Sequence, residues 1–295
     1  MGKIASAFKK AGKPIDSGPV VQDHKTVTSV EQKPKQVQNL KKNKENKDTF
    51  HRLTDQVVKE AQYSVQSIID EKLVVFHQPD SLAAENFKIL RSQIIYPSDG
   101  KAKRTILVTS ALAQEGKTFV TCNLALSIAQ GLDPYCLLID GDLRRPSVHK
   151  MLGISSNQMG LADFLVRGGS LGSYLIKTDI TKLTVLPAGH IPRNPAELLT
   201  SSNMKSLLKE AKSRYEDRFI VIDSPPVNLA SETRDLALSV DAVIFVVRYG
   251  KTSRETIQEA IEKIGKERIL GVVFNGFEVT PKKYSYYKKD YGYYK

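Results

Sequence analysis

Three short runs in this chain combine residue types that can hold and transfer phosphate. The first is Ser110-Ala111-Leu112-Ala113-Gln114-Glu115-Gly116-Lys117-Thr118, which follows an apolar run and precedes a helical pattern. Strand, loop, Gly-Lys-Thr and helix is the order in which backbone N–H groups and the positive end of a helix dipole cradle phosphate. Lys117 would neutralise the outer phosphates, and the Thr118 hydroxyl would ligate magnesium. Gln114, Glu115, Gly116 and Phe119 complete the candidate cradle, with Ala111 where a first glycine is usual.

The second run, Leu137-Leu138-Ile139-Asp140-Gly141-Asp142-Leu143-Arg144, puts two carboxylates at the end of an apolar strand. That is the edge of a parallel sheet where ligands bind. Both carboxylates reach one site if the chain leaves strand geometry at Gly141; otherwise Asp-Gly-Asp is a solvated turn. The third run, Phe219-Ile220-Val221-Ile222-Asp223-Ser224-Pro225-Pro226, ends another strand in a carboxylate that could hold a magnesium-bound water. Three strand-end elements in this order point to ATP with Mg²⁺, with Thr118, Asp140, Asp142 and Asp223 as the candidate metal set.

The elements that must position these residues can be read around them. Apolar runs at 105–109, 136–139, 183–186, 219–222, 242–247 and 269–274 read as buried strands, with helical patterns at 117–130, 196–215 and 253–266. Continuous apolar strands separated by helices imply an α/β fold, a mostly parallel twisted sheet flanked by helices. A helix beginning after Ser81, its N-cap, precedes the first of these strands, and residues 53–77 form a helical or mixed lead-in. Residues 1–52 are basic, rich in Lys, Gln and Asn and without period, so a disordered segment is expected there. The organisation is therefore a segment at 1–52, a domain at 53–280 and a tail at 281–295.

Charge and cysteines narrow the class further. Of the net +12, residues 1–50 carry +6 and residues 281–295 carry +4. Basic ends around a near-neutral middle favour an anionic membrane surface or acidic partners over nucleic acid. Cys122 and Cys136 lie in apolar segments with neither metal nor disulfide spacing, as in a reduced cytoplasmic protein. No run of the length needed to span a bilayer occurs. The tail holds Tyr284, Tyr286, Tyr287, Tyr291, Tyr293 and Tyr294, six of the chain's 12 tyrosines, interleaved with Lys and Gly. It reads as flexible.

Over residues 75–295 the three runs resemble the Walker A, Walker A′ and Walker B elements of bacterial tyrosine kinases. These P-loop kinases are tied to exopolysaccharide and capsule production and share the fold of partitioning and septum-positioning ATPases. Leu186-Pro187-Ala188-Gly189 and Asn194-Pro195-Ala196-Glu197-Leu198-Leu199, with Arg248 ending a strand, belong to the same resemblance. It implies ATP-dependent tyrosine autophosphorylation, with catalytic roles for Lys117, Asp140 and Asp142. One of the two aspartates would take the proton of the incoming tyrosine, and the sequence does not say which. Asn275 resembles an adenine-contacting position, its other reading being an Asn in a strand-end turn. Glu85, Lys88 and Arg91 resemble a Glu-x-x-Arg-x-x-Arg oligomerisation motif, with Lys88 replacing the usual Arg; otherwise they are a solvated face.

The resemblance also sets expectations about partners. Copies of the chain would form a ring-like homo-oligomer and phosphorylate one another's tails. A separate membrane-bound chain-length regulator would activate the kinase at the inner face of the cell membrane, with a cognate tyrosine phosphatase reversing it. The rival is a dimeric ATPase switch without kinase activity. Such switches carry a signature lysine where this chain has Leu112, and a tyrosine-rich tail has no use in them.

Overall fold

The computed structural model describes residues 69–97, 100–214 and 217–277. The expected N-terminal segment 1–52, most of the lead-in and the tail tyrosines lie outside the described residues. Seven strands form one sheet: β1 (Thr105–Ser110), β2 (Tyr135–Asp140), β3 (Ile176–Lys177), β4 (Leu183–Leu186), β5 (Arg218–Asp223), β6 (Ala242–Arg248) and β7 (Ile269–Asn275). Their order is β3-β4-β2-β5-β1-β6-β7. Every pairing is parallel except β3 with β4. The six long strands coincide with the predicted apolar runs to within a residue at each end. The two-residue β3 has no signal of its own and is recruited by its neighbour.

Residues in β1, β2 and β5 are buried on both faces because helices cover each side. On one side lie α1 (Val74–His77), α2 (Leu82–Ile95), α3 (Lys117–Ala129) and α4 (Val148–Met151). The other side carries α5 (Leu161–Arg167), α6 (Pro195–Thr200), α7 (Ser202–Arg214), α8 (Glu232–Ser239) and α9 (Arg254–Ile264). Helix α2 starts where Ser81 Oγ accepts the Ala84 N–H at 3.1 Å, the expected N-cap. It is held on α3 by Phe87, edge-on to Phe119 at 5.9 Å.

One helical pattern, 196–215, is divided. At Ser201 the backbone turns extended, and its Oγ donates to the Leu198 carbonyl at 2.7 Å and accepts the Met204 N–H at 3.2 Å. A single hydroxyl thereby closes α6 and opens α7, a competition with the helix ladder that serine is suited to win. Helix α9 opens on Ser253, whose side chain caps the Thr256 N–H, and stops at Gly265, whose φ is 97°.

The Leu-Pro-Ala-Gly run has a packing role. Beyond β4, the Pro187 and Ala188 carbonyls accept the N–H groups of Leu161 and Ala162 at 2.7 and 2.9 Å. Asp163 reaches back to the Gly160 N–H at 3.0 Å and to the His190 N–H at 3.1 Å. Backbone lies on backbone here, so a Cβ at Gly160 would stand 2.0 Å from the Pro187 carbonyl oxygen. Gly160→Ala is expected to destabilise the fold by about 1–3 kcal/mol. A urea transition at lower midpoint with unchanged slope would show it.

Candidate active site at the carboxyl edge of the sheet

The three central strands β2, β5 and β1 are adjacent, and each ends in one of the runs singled out above. Asp140 and Asp223 are register partners at the ends of β2 and β5. Gly141 leaves the strand there, its N–H donating to the Asp223 carbonyl at 2.9 Å. A Cβ on Gly141 would lie 2.7 Å from that same oxygen, so glycine permits the close approach.

Beyond β1 the loop turns through Gln114, at φ 64°, and Gly116, at φ 90°. A left-handed Gln costs about 1 kcal/mol relative to glycine. Gly116 is fixed by crowding as well: its Cβ would meet Asn275 Nδ2 at 1.9 Å. Asn275 donates through that nitrogen to the Glu115 carbonyl at 2.9 Å, an interaction that braces the loop from the end of β7. The Glu115 side chain does not face the phosphate cradle. It is buried and accepts from Leu112 N (2.7 Å), Arg248 N (3.3 Å) and Thr252 Oγ1 (2.5 Å). Glu115 thus shapes the loop while its backbone remains at the α3 N-terminus.

Lys117 and Thr118 open α3 beneath that loop. Thr118 Oγ1 donates to Asp223 Oδ2 at 2.6 Å, and Thr121 Oγ1 approaches Asp223 Oδ1 at 3.1 Å. Ser147 Oγ donates to Thr118 Oγ1 at 2.9 Å. Asp140 Oδ2 accepts the N–H groups of Ser147 and Val148 at 3.2 and 3.1 Å, while Oδ1 accepts that of Asp142 at 3.3 Å. Asp142 is the more exposed of the pair, 8% against 0%, and its Oδ1 accepts Arg145 N at 3.1 Å. Thr121 and Ser147 went unrecognised in the sequence. A hydroxyl four residues after Lys117 is a faint helical-spacing signal; for Ser147 there is none.

Three buried carboxylates share this site with one lysine. Burial raises all three above the ordinary carboxylate range. For Asp140 the neighbouring Asp223 charge adds to burial. Asp223 is held at about 6, with burial partly offset by Lys117 and by the Thr118 hydroxyl. Such a donor set lacks positive charge and suits a hard cation. Among the described residues no three His, Cys, Asp or Glu side chains converge as a metal cage. Magnesium keeps several waters and takes one or two carboxylates together with phosphate oxygens, a demand that the side chains of this site meet.

The predicted oligomerisation residues lie apart on α2. Lys88 Nζ pairs with Glu85 at 3.1 Å, and Arg91 Nη1 donates to the Ser127 carbonyl of α3 at 2.8 Å. Among the described residues no helix is long and apolar enough to cross a membrane.

The AAA domain family model matches residues 103–269. The chain is 34% identical over 230 residues to the tyrosine-protein kinase YwqD of Bacillus subtilis (strain 168), covering 77% of this chain and 93% of that protein. It is 30% identical over 222 residues to the putative tyrosine-protein kinase CapB of Staphylococcus aureus, covering 74% and 96%. Among solved structures, that of the chimerical protein CapA2B2 superposes with a TM-score of 0.66 at 32% identity, over 72% of this chain and 93% of that one.

The raised carboxylates have a pH signature. Between about pH 4 and pH 6 folded Asp223 keeps a proton that the unfolded chain has released, so stability falls as pH rises through that window. Wild-type protein should therefore lose stability relative to Asp223→Asn between about pH 4.5 and pH 7. Chemical denaturation of both proteins across this range tests it; parallel curves would contradict it.

Proposed function

The chain belongs to the bacterial tyrosine kinases of the P-loop type, and from that premise we propose that it transfers the γ-phosphoryl group of ATP to tyrosines 284, 286, 287, 291, 293 and 294 of a neighbouring copy. The observation that carries this reading is the meeting of Lys117, Thr118, Asp142 and Asp223 where three adjacent strands end. Backbone N–H groups of the 111–118 loop and Lys117 hold the phosphates. Magnesium would be held by Thr118 with the carboxylates of Asp140, Asp142 and Asp223, and would supply charge neutralisation on the transferring group.

Geometry divides the two aspartates. Both oxygens of Asp140 are committed to backbone N–H groups, and its side chain is wholly enclosed. Asp142 stands nearer the surface, where an incoming hydroxyl can reach it, and burial raises its proton affinity above that of an ordinary carboxylate. In this reading the tyrosine oxygen bonds to the γ-phosphorus as the bond to ADP breaks. ADP leaves with the electron pair, and the phenolic proton passes to Asp142. Asn275 keeps its amide oxygen for adenine. Leu112, 39% exposed, replaces the lysine that a dimeric ATPase switch would need.

The wider setting rests on charge together with what the family resemblance implies. Tail segments rich in Lys and Tyr reach a neighbour's site at high effective concentration within a ring of subunits assembled through Glu85, Lys88 and Arg91. The basic N-terminal segment holds the kinase against anionic lipid at the inner face of the cell membrane. There a membrane-bound chain-length regulator activates it, a cognate phosphatase resets it, and exopolysaccharide synthesis or export is the process controlled.

Purified wild type, Lys117→Met and a chain truncated after Pro281 should be incubated with ATP and Mg²⁺ and mapped by mass spectrometry. Phosphotyrosine within residues 284–294, absent from Lys117→Met, is the expected result. ATP hydrolysis with no phosphotyrosine, even after a membrane partner is supplied, would favour the ATPase switch.

A further inference from the structure

We infer that Arg144 is a positioning residue for phosphoryl transfer, anchoring the turn that holds Asp142 through a two-point ion pair with the buried Glu232. The inference rests on the reading of Asp142 as proton acceptor and says what keeps that carboxylate in place.

Asp142 does not sit on a strand. It lies in a turn after β2, its carboxylate held by the Arg145 N–H at 3.1 Å, and the Arg145 N–H also approaches the Asp142 carbonyl at 3.2 Å. The Arg144 backbone N–H also favours the charged form of that carboxylate. The amides that aim Asp142 therefore belong to the two residues following Leu143. Leu143, buried in the core, and the Asp142 N–H on Asp140 Oδ1 at 3.3 Å tie the start of this turn to the sheet. Arg144 adds a side-chain tie beyond these: its Nε donates to Glu232 Oε1 at 2.6 Å and its Nη2 to Oε2 at 3.3 Å.

The partner distinguishes this pair from an ordinary surface contact. Glu232 is at the start of α8, 88 residues away, and its side chain is 0% exposed, while that of Arg144 is 46% exposed. An exposed pair would be screened and geometrically loose. Here the carboxylate is fixed in the core, and the planar guanidinium meets it with two donors, a geometry lysine cannot reproduce. Glu197, in the first turn of α6, adds attraction for Arg144. Pro195 starts that helix and so sets where Glu197 stands. Arg144 thus joins the Asp142 turn to α8 and to the field of α6.

The test uses the full chain with Mg²⁺, comparing wild type, Arg144→Lys, Arg144→Ala, Glu232→Gln, the double variant Arg144→Ala/Glu232→Gln, and Asp142→Asn. Single-turnover transfer to a peptide of residues 281–295 is read beside affinity for a fluorescent ADP and the thermal melt. Arg144→Ala should lower the transfer rate about tenfold or more while ADP affinity stays within about twofold. Arg144→Lys should fall between the two, and the double variant should lose little beyond Arg144→Ala alone. A rate loss matched by the fraction unfolded, or an unchanged rate in Arg144→Lys and Glu232→Gln while Asp142→Asn is inactive, would overturn the positioning role. Should Arg144→Ala fail to fold, those two variants decide the matter. Full transfer by Asp142→Asn would instead remove the proton-acceptor reading, and the inference with it.

Discussion

Burying three carboxylates beside a single lysine is the constraint around which this domain is arranged. An isolated buried carboxylate is costly, and proteins meet that cost with hydrogen bonds, opposite charge or protonation. All three appear here. Asp140 is wrapped by three backbone N–H groups, Asp223 by two threonine hydroxyls, and Lys117 lies between the acids. What these leave uncompensated appears as raised proton affinity. The sheet serves this arrangement by placing β2, β5 and β1 side by side, and Gly141 lets two of their ends nearly touch.

A second consequence concerns the phosphate loop. Its shape does not depend on a bound anion, because the Glu115 side chain and the Asn275 amide brace it from the ends of β6 and β7. The Glu115 carboxylate and the Asn275 amide nitrogen are engaged in scaffolding, and in the proposed reading the loop N–H groups and Lys117 serve phosphate. Preorganisation of this kind is what electrostatic stabilisation of phosphoryl transfer requires. Close to the end of β7, Phe277 stacks edge-on with Tyr249 at 4.8 Å. On α2 the picture differs, since Arg91 is already engaged within its own chain.

The strands were legible because apolar runs of four to six residues between helical patterns have few other uses, and the chemistry was legible because it sits at their ends. Ser81 announced its helix through capping. What stayed hidden depended on distant partners: Glu232 gives no local hint that it meets Arg144, and Ser147 becomes part of the site only when its loop folds over Thr118. Short helices such as α4 and α5 are too brief to show a period. The break at Ser201 was masked because serine is tolerated within helices and its capping depends on backbone geometry. Glu115 was recognised as part of the loop, but the bracing role of its side chain depends on the distant Arg248 and Thr252 and gave no local signal.

The central claim is that this acid cluster is completed by magnesium and nucleotide together. Calorimetric titration of ADP near pH 6, with and without Mg²⁺ and in two buffers of different ionisation enthalpy, addresses it directly. The account predicts that Mg²⁺ tightens ADP binding and that the heat depends on the buffer, because Asp223 and its neighbours release protons as the cation arrives. Equal affinity without Mg²⁺, and heats independent of the buffer, would contradict it.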